Sequence, residues 1–514
     1  MLPKPPFASD LTLERELHLF EQLKPRLANL WNALSARSEE PYTSVVIPSM
    51  TLDEKELTKL AAASFYEERL LFLLIRLRNP QAHMVYVTSQ PIHPVILDYY
   101  FQLLAGVPAS HARSRLTLLC AHDSSPRPLT QKILERPRLI QRIRYGIRDV
   151  SRTYMTVFCA TELERRLAVL LNIPLNGVDP ELRSLGSKSG SRKVFREAGV
   201  PLPEGFEDLR SEEDIVGALM ELRKRRPNLG RAVIKLNEGF SGGGNALFGF
   251  PGRSGRGAIH DALRNLGFSE PSESLPSYVT KVSQMGCIVE ELIEGGETAS
   301  PSVQMRIDPR GEVVLLSTHD QILSGSTGQI YEACRFPCSD AYRAGVQTLG
   351  RRIGAVLAAK GVVSRFGIDF LAHRRQAGDQ WSLLALEINL RIGGTTHPFL
   401  ALQFLTGGAL DVETGLFLSP SGRPKFYRAT DNVQSKALRG LCPEDLIDIT
   451  TVNRLHYDHT TETGSLFHMI GALSQFGKIG LTAIGNSHDE ADAIYSRTLS
   501  IFDRETGPTP PPVR

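Results

Sequence analysis

The stretch Leu386-Glu387-Ile388-Asn389-Leu390-Arg391-Ile392-Gly393-Gly394 decides how this chain is read. Alternate residues of a strand share a face, so Glu387, Asn389 and Arg391 point one way while Leu386, Ile388 and Leu390 pack behind them. Upstream, Arg365-Phe366-Gly367-Ile368-Asp369-Phe370 reads as a second strand with Arg365 and Asp369 on one face. The apolar residues in between mark central strands, where such charge needs a cation. Asp369, Glu387 and Asn389 make an oxygen-only donor set, which suits magnesium rather than zinc. An arginine beside it suits a phosphoryl group or a carboxylate.

Two motifs precede these strands. The first is a strand, Ala232-Val233-Ile234-Lys235, leading into Glu238-Gly239-Phe240-Ser241-Gly242-Gly243-Gly244-Asn245. A lysine before a glycine-rich turn can hold phosphates, the ammonium meeting the charge and bare N–H groups lining up behind it. Alone it could equally be an ordinary hairpin, and it matches neither the P-loop nor the dinucleotide fingerprint. The second, Cys287-Ile288-Val289-Glu290-Glu291-Leu292-Ile293-Glu294-Gly295-Gly296-Glu297, is a strand running into an acidic connector, which alone could be an exposed turn.

Taken in order, the four motifs resemble the ATP-grasp superfamily, and more narrowly the peptide ligases related to that of pheganomycin biosynthesis. The core resemblance spans 186–406, and the segments before and after it, especially 463–490, are similar to the narrower group. It implies an ADP-forming carbon–nitrogen ligase: ATP phosphorylates a carboxylate and an amine displaces the phosphate, as in natural-product or peptide biosynthesis. ATP-binding roles fall to Lys188, Lys235, the loop Ser241, Gly242, Gly243 and Gly244, and the connector Glu290, Glu291 and Ile293, with Glu297 on the ribose. Aspartate is frequent in the family where Ser187 stands before Lys188. Asp369, Glu387 and Asn389 become ligands of Mg2+ or Mn2+. Arg391, Lys235 and Arg365 become the catalytic cations.

The acceptor substrate is expected at Gly394, Thr395, Thr396 and His397, with His397 either a base or a structural histidine beside Pro398. Asp320 and Gln321 either line the cavity or form a polar loop. Ser89 and Gln90 follow a strand-like run at Met84–Thr88, where α/β sheets present ligands. Rival readings are another ATP-grasp reaction, carboxylation or thiol ligation, and a catalytically silent nucleotide-binding module.

Around this core, 514 residues with 41% hydrophobic and 22% charged side chains exceed one ordinary domain. The expected fold is α/β and α+β multidomain. An N-terminal pre-ATP-grasp α/β domain (1–183) precedes a small subdomain (184–285), a catalytic subdomain (286–410) and a C-terminal extension with a frayed tail (411–514). Strand-like runs at Ser44–Ile47, Met84–Thr88, Leu116–Cys120 and Met155–Cys159 each lead toward a helix, the pattern of a covered parallel sheet. A first helix carries Leu13, Leu17, Phe20, Leu23 and Leu27 and is expected to be interrupted at Pro25, and 251–276 reads as a Gly/Ser/Pro-rich stretch. Ser487 and Glu490 have capping-box spacing.

The net charge of +3 is mild, and the basic stretch 132–152 has isoleucines at helical spacing, so a solvated helix face is expected rather than a nucleic-acid patch. No apolar run approaches a membrane span and no signal peptide pattern opens the chain. The expected setting is the cytoplasm, with small-molecule carboxylate and amine (amino acid or peptide) substrates, no nucleic acid and no membrane, and a homodimer left open. The six cysteines have neither zinc-site nor disulfide spacing.

Overall fold

The computed structural model describes residues 11–36, 40–52, 54–104, 106–239, 244–252, 255–270, 272–324 and 330–506, and among these the strands form three sheets. The first contains β1 (Tyr42–Ile47), β2 (Ala82–Thr88), β3 (Leu116–Cys120), β4 (Thr153–Val157) and β5 (Leu175–Asn176). It is parallel, in the order β3-β2-β1-β4-β5. Both faces are covered: Val46 and Tyr86 enter one hydrophobic core, and Val45, Ile47, Val85 and Val87 enter another. Such two-sided burial produces the nearly continuous apolar runs of parallel strands.

The first helix, Leu13–Ala36, continues through Pro25 rather than breaking. Proline removes one backbone bond there, while Phe20 and Leu23 before it and Leu27 and Leu30 after it are buried, so both halves are held against the protein. Helix Glu162–Leu171 starts at a full capping box, with Leu163 N–H donating to Thr161 and Glu164 accepting from Thr161 N–H. The basic stretch forms helix Pro137–Gly146, which buries Leu139, Ile140 and Ile143 and exposes Arg138 and Arg142.

The second sheet is antiparallel and consists of β6 (Gly205–Leu209), β7 (Arg231–Leu236), β8 (Asn245–Gly249), β9 (Gly267–Phe268) and β10 (Cys287–Glu291). Its order is β6-β10-β7-β8-β9. Ala232, Ile234, Leu236, Cys287 and Val289 pack on helices Glu212–Arg225 and Leu275–Met285. Strand alternation therefore turns Val233, Lys235 and Glu290 to the opposite face. Within the Gly/Ser/Pro-rich stretch, helix Arg256–Leu263 buries Ile259 and Leu263 against the same core, a fold the high Gly/Ser/Pro content concealed.

The third sheet has eleven strands. They are β11 (Glu297–Ala299), β12 (Pro301–Ile307), β13 (Val313–Ser324), β14 (Ile330–Phe336), β15 (Ser364–Arg374), β16 (Ser382–Asn389), β17 (Ala409–Leu410), β18 (Phe417–Leu418), β19 (Pro424–Gln434), β20 (Gly464–His468) and β21 (Lys478–Gly485). The path β11-β15-β12-β13-β14-β19 carries β16 beside β15 and reaches β20 through β21, so hydrogen bonding runs without a break past residue 410. Helix Asp340–Ala359 seals one face, burying Val346, Ile353 and Leu357 against Val303, Met305 and Phe366. The last helix, His488–Thr506, starts as its sequence suggests, with Glu490 N–H on Ser487 Oγ. The Glu490 carboxylate reaches one residue further than a capping box requires, to Asn486 N–H.

Candidate active site

The inner face of the second sheet and the open face of the third enclose a cavity of about 690 Å³. Lys235 and Glu290 reach it from β7 and β10, Gln321 from β13, Asp369 from β15 and Glu387 and Asn389 from β16. In the β15–β16 ladder, Asp369 stands opposite Glu387 and Phe370 opposite Ala385, a bulge at Leu386. Bulges beside sites re-aim side chains, and here both carboxylates and Leu386 reach the cavity. Arg391 lies just past the strand end, its N–H folded back onto Asn389 O at 2.8 Å. The inward aim of Arg391 thus comes from a turn rather than from strand alternation.

Asp369 accepts from Gln321 Nε2 at 2.7 Å and from Asn389 Nδ2 at 2.9 Å. Lys188, at the start of helix Lys188–Glu197, places Nζ 2.5 Å from Glu387 Oε1. Lys235 pairs with Glu290, whose other oxygen meets Arg192 Nη1 at 3.1 Å. Burial, and next the neighbouring Glu387, push the Asp369 carboxyl up to about 7, against the pull of Arg391, Lys188 and Gln321. Two crowded carboxylates fit a divalent cation, which relieves their repulsion. The Asn389 amide now gives its nitrogen to Asp369 and its oxygen to Arg391 Nη2 at 3.2 Å, and turning over would offer that oxygen to the ion.

Known proteins resemble this chain in sequence and in fold. The profile of an IQCH-like ATP-grasp region matches residues 180–250 and 272–413, and that of the PGM1 C-terminal domain matches 445–498. The L-propargylglycine–L-glutamate ligase of Streptantibioticus cattleyicolor is 32% identical over 483 residues, covering 91% of this chain and 95% of that one. The chain belongs to the ATP-grasp ligases. It is an enzyme of ATP-dependent carboxylate–amine ligation. IQ motif-containing protein H of Danio rerio is 22% identical over 96% of this chain, which spans 51% of that longer protein. Among solved structures, the ADP complex of an N5-carboxyaminoimidazole ribonucleotide synthetase shares the fold at TM-score 0.51 and 12% identity, covering 91% of this chain and 97% of that one. The biotin carboxylase domain of a Hydrogenobacter thermophilus 2-oxoglutarate carboxylase does so at 0.53 and 13%, covering 89% of each.

In this ATP-grasp ligase the cavity also takes in Glu291, Ile293, Gly394 and Thr395. Gly244 adopts φ +81°, closing the turn between β7 and β8, whereas Ser241, Gly242 and Gly243 lie outside the described residues. Six expected positions lie elsewhere. Thr298, Ser300, Ser302 and Gln304 alternate into the cavity, so Glu297 is turned away and pairs with Arg374 at the sheet edge. Arg365 shares a face with Asp369 but stands four residues along β15, and four strand steps span roughly 13 Å, which places it in a second cavity. Ser89 is buried, its N–H and hydroxyl both donating to Glu67. Gln90 follows it off the cavity wall, with its carbonyl accepting from Thr88 Oγ1. His397 is buried with Nε2 3.0 Å from His468 Nε2 and 3.2 Å from Asp431 Oδ1. Burial holds it neutral, down to about 4, so it is no accessible base. Thr396 is likewise inside, its hydroxyl donating to Gln304 and accepting from Gly393 N–H.

The ATP-grasp ligase has a further wall that the sequence reading missed, formed by Tyr66, Arg69, Phe158, Asp431, Asn432 and Lys478. The Arg69 guanidinium lies 4.6 Å from the Tyr66 ring and 4.4 Å from Phe158, with Nη1 3.1 Å from Asp431 Oδ2. Lys478 Nζ reaches Tyr66 Oη at 2.8 Å. One signal was present: Glu67-Glu68-Arg69 interrupt the apolar run that continues through Ile75. Buried charges in such a run need a partner, but Glu68 and Arg69 find theirs at Gly471 and Asp431, hundreds of residues away.

Proposed function

We propose that this ATP-grasp ligase phosphorylates the carboxylate of an amino acid or short peptide with ATP and joins the acyl group to the amine of a second amino acid. The observation that carries this is the two-walled cavity, with Lys188, Lys235, Asp369, Glu387, Asn389 and Arg391 on one side and Arg69, Asp431 and Lys478 on the other. The first wall suits a triphosphate. The second offers both signs of charge, which suits a zwitterion, and the relative named for joining propargylglycine to glutamate supports amino acids as both partners.

Phosphoryl transfer needs alignment and charge neutralisation more than covalent help from the protein. Lys188 and Lys235, now paired with Glu387 and Glu290, turn to the phosphates as ATP enters. The Glu291 carbonyl and Ile293 N–H read the adenine edge. Asp369, Glu387 and Asn389 would hold Mg2+, with Mn2+ a substitute, and the ion would supply positive charge that neutralises the phosphates. Arg391 steadies the carboxylate as its oxygen attacks the γ-phosphorus and ADP leaves. The amine then attacks the acyl carbon, phosphate departs, and the amine proton passes to solvent. Gly394 and Thr395 line the cavity where this acceptor sits.

Mass spectrometry of reactions with Mg-ATP and pooled amino acids and dipeptides tests the reading. A product at the summed mass less one water is expected, with ADP and phosphate in equal amount and a hydroxamate when hydroxylamine replaces the amine. AMP and pyrophosphate as products would overturn it.

A further inference from the structure

A second cavity, of about 530 Å³, lies between the first sheet and the far ends of β12 and β15. Arg76, Arg306 and Arg365 line it, with Trp31 and Thr156. Four buried polar atoms of these side chains have no hydrogen-bond partner among the described residues: Trp31 Nε1, Thr156 Oγ1, Arg306 Nε and Arg365 Nη1. The indole and guanidinium nitrogens can only donate, so three of these four atoms lack an acceptor among the described residues. Asp308, the one acid among the described lining residues, is committed to Arg310 Nε at 2.9 Å and to the N–H groups of Arg310 and Glu312. Arg76 Nη1 is held by Tyr154 Oη at 3.0 Å, and the Arg306 guanidinium lies 4.9 Å from the Trp31 ring.

Uncompensated guanidinium groups crowded in one enclosure call for an anion. Burial first, then Arg306 and Arg76, push Arg365 down to about 9, which shows how little negative charge now reaches it. Apolar Phe72, Leu400 and Phe404 complete the enclosure, so the occupant has a carbon body as well as a charged end.

We propose that this second cavity is a binding site for a small organic anion, its phosphate or carboxylate group held by Arg306, Arg365 and Trp31 Nε1. The site is separate from the nucleotide cavity but joined to it by two elements. Arg365 shares β15 with Asp369, and helix Thr396–Thr406 begins beside Thr395 of the nucleotide cavity and carries Leu400 and Phe404 into the second. The inference does not rest on the ligation chemistry proposed above.

Thermal unfolding of the full chain in sodium phosphate, sodium succinate and sodium chloride, matched in ionic strength, tests it. Tm of the natural protein should rise with phosphate or succinate concentration above the chloride control, and the better of the two identifies the preferred head group. Arg365→Met should lose at least half of that rise while melting no lower in chloride, since it removes a buried unpaired charge. Anion bound at the nucleotide cavity would shift both proteins equally and so cancels. If Arg365→Met does not fold, Arg306→Met reads the same difference with Arg365 intact. No rise above chloride, or an equal rise in the natural protein and the variants, overturns the proposal.

Discussion

Glu387 faces Asp369 across one ladder position and holds the Lys188 ammonium, so its charge serves two neighbours. Glu387→Gln keeps the shape and removes that charge. In an ADP-release assay kcat should fall by roughly 10²–10³, the usual loss when a group opposing developing charge is removed. Glu297→Ala should do little. Its partner Arg374 is at the sheet edge and exposed ion pairs contribute about 0–1 kcal/mol, so KM for ATP should change less than about twofold. A tenfold rise in KM would return Glu297 to the nucleotide site. Glu290 is different, being 2% exposed between Lys235 and Arg192. Glu290→Ala removes one of the two carboxylates on the buried Arg192 and the partner of Lys235, and roughly 3 kcal/mol of unfolding free energy should be lost in urea titration. Unchanged stability would mean that Glu207 and Pro203 O satisfy Arg192 without it.

Among the elements, helix Thr396–Thr406 and the turn before it set the end of the cavity. Thr396 Oγ1 ties Gly393 N–H to Gln304 on β12, which fixes the loop that follows Arg391. Thr396→Val leaves the buried Gln304 amide oxygen and the half-buried Gly393 N–H without that partner, a cost of about 1–3 kcal/mol. Because the loop positions Arg391 as well as the acceptor end, hydroxamate formation and ligation should fall together. Ligation falling alone would show that the hydroxyl touches only the acceptor.

For the whole molecule, the boundary between the first sheet and the third carries a pH signature. Glu67 and Glu68 are buried there, Glu67 on Ser89 and Glu68 on Gly471 N–H. Burial first raises both from 4.5 to about 7, with Ser89 drawing Glu67 back and the Gly471 N–H drawing Glu68 back. The folded chain therefore binds more protons than the unfolded one between these values, and stability falls as pH rises from about 4.5 to 7. Glu68→Gln can still accept from Gly471 N–H but no longer titrates. Its ΔG of unfolding should fall less across that window, by on the order of 2–3 kcal/mol. Parallel curves for the variant and the natural protein would show that Glu68 carries no such cost.

The sequence alone determined whatever depends on neighbours within a strand or turn. Asp369, Glu387 and Asn389 could be read as a group because strand period and oxygen-donor chemistry are local properties, and the covered parallel sheet followed from its apolar runs. The family resemblance added Lys188, whose contact with Glu387 no spacing reveals. Tertiary structure decided which of two alternating residues faces the cavity, as Thr298 does and Glu297 does not. It also decided how far along a strand a shared face remains one site, which separates Arg365 from Asp369. The wall of Arg69, Asp431 and Lys478 was its work as well, since pairing of β14 with β19 and of β19 with β21 brings the last hundred residues onto the catalytic sheet. Sheet pairing joins positions of any separation along the chain, so a local pattern can reveal that Arg69 needs a partner but not that Asp431 supplies it.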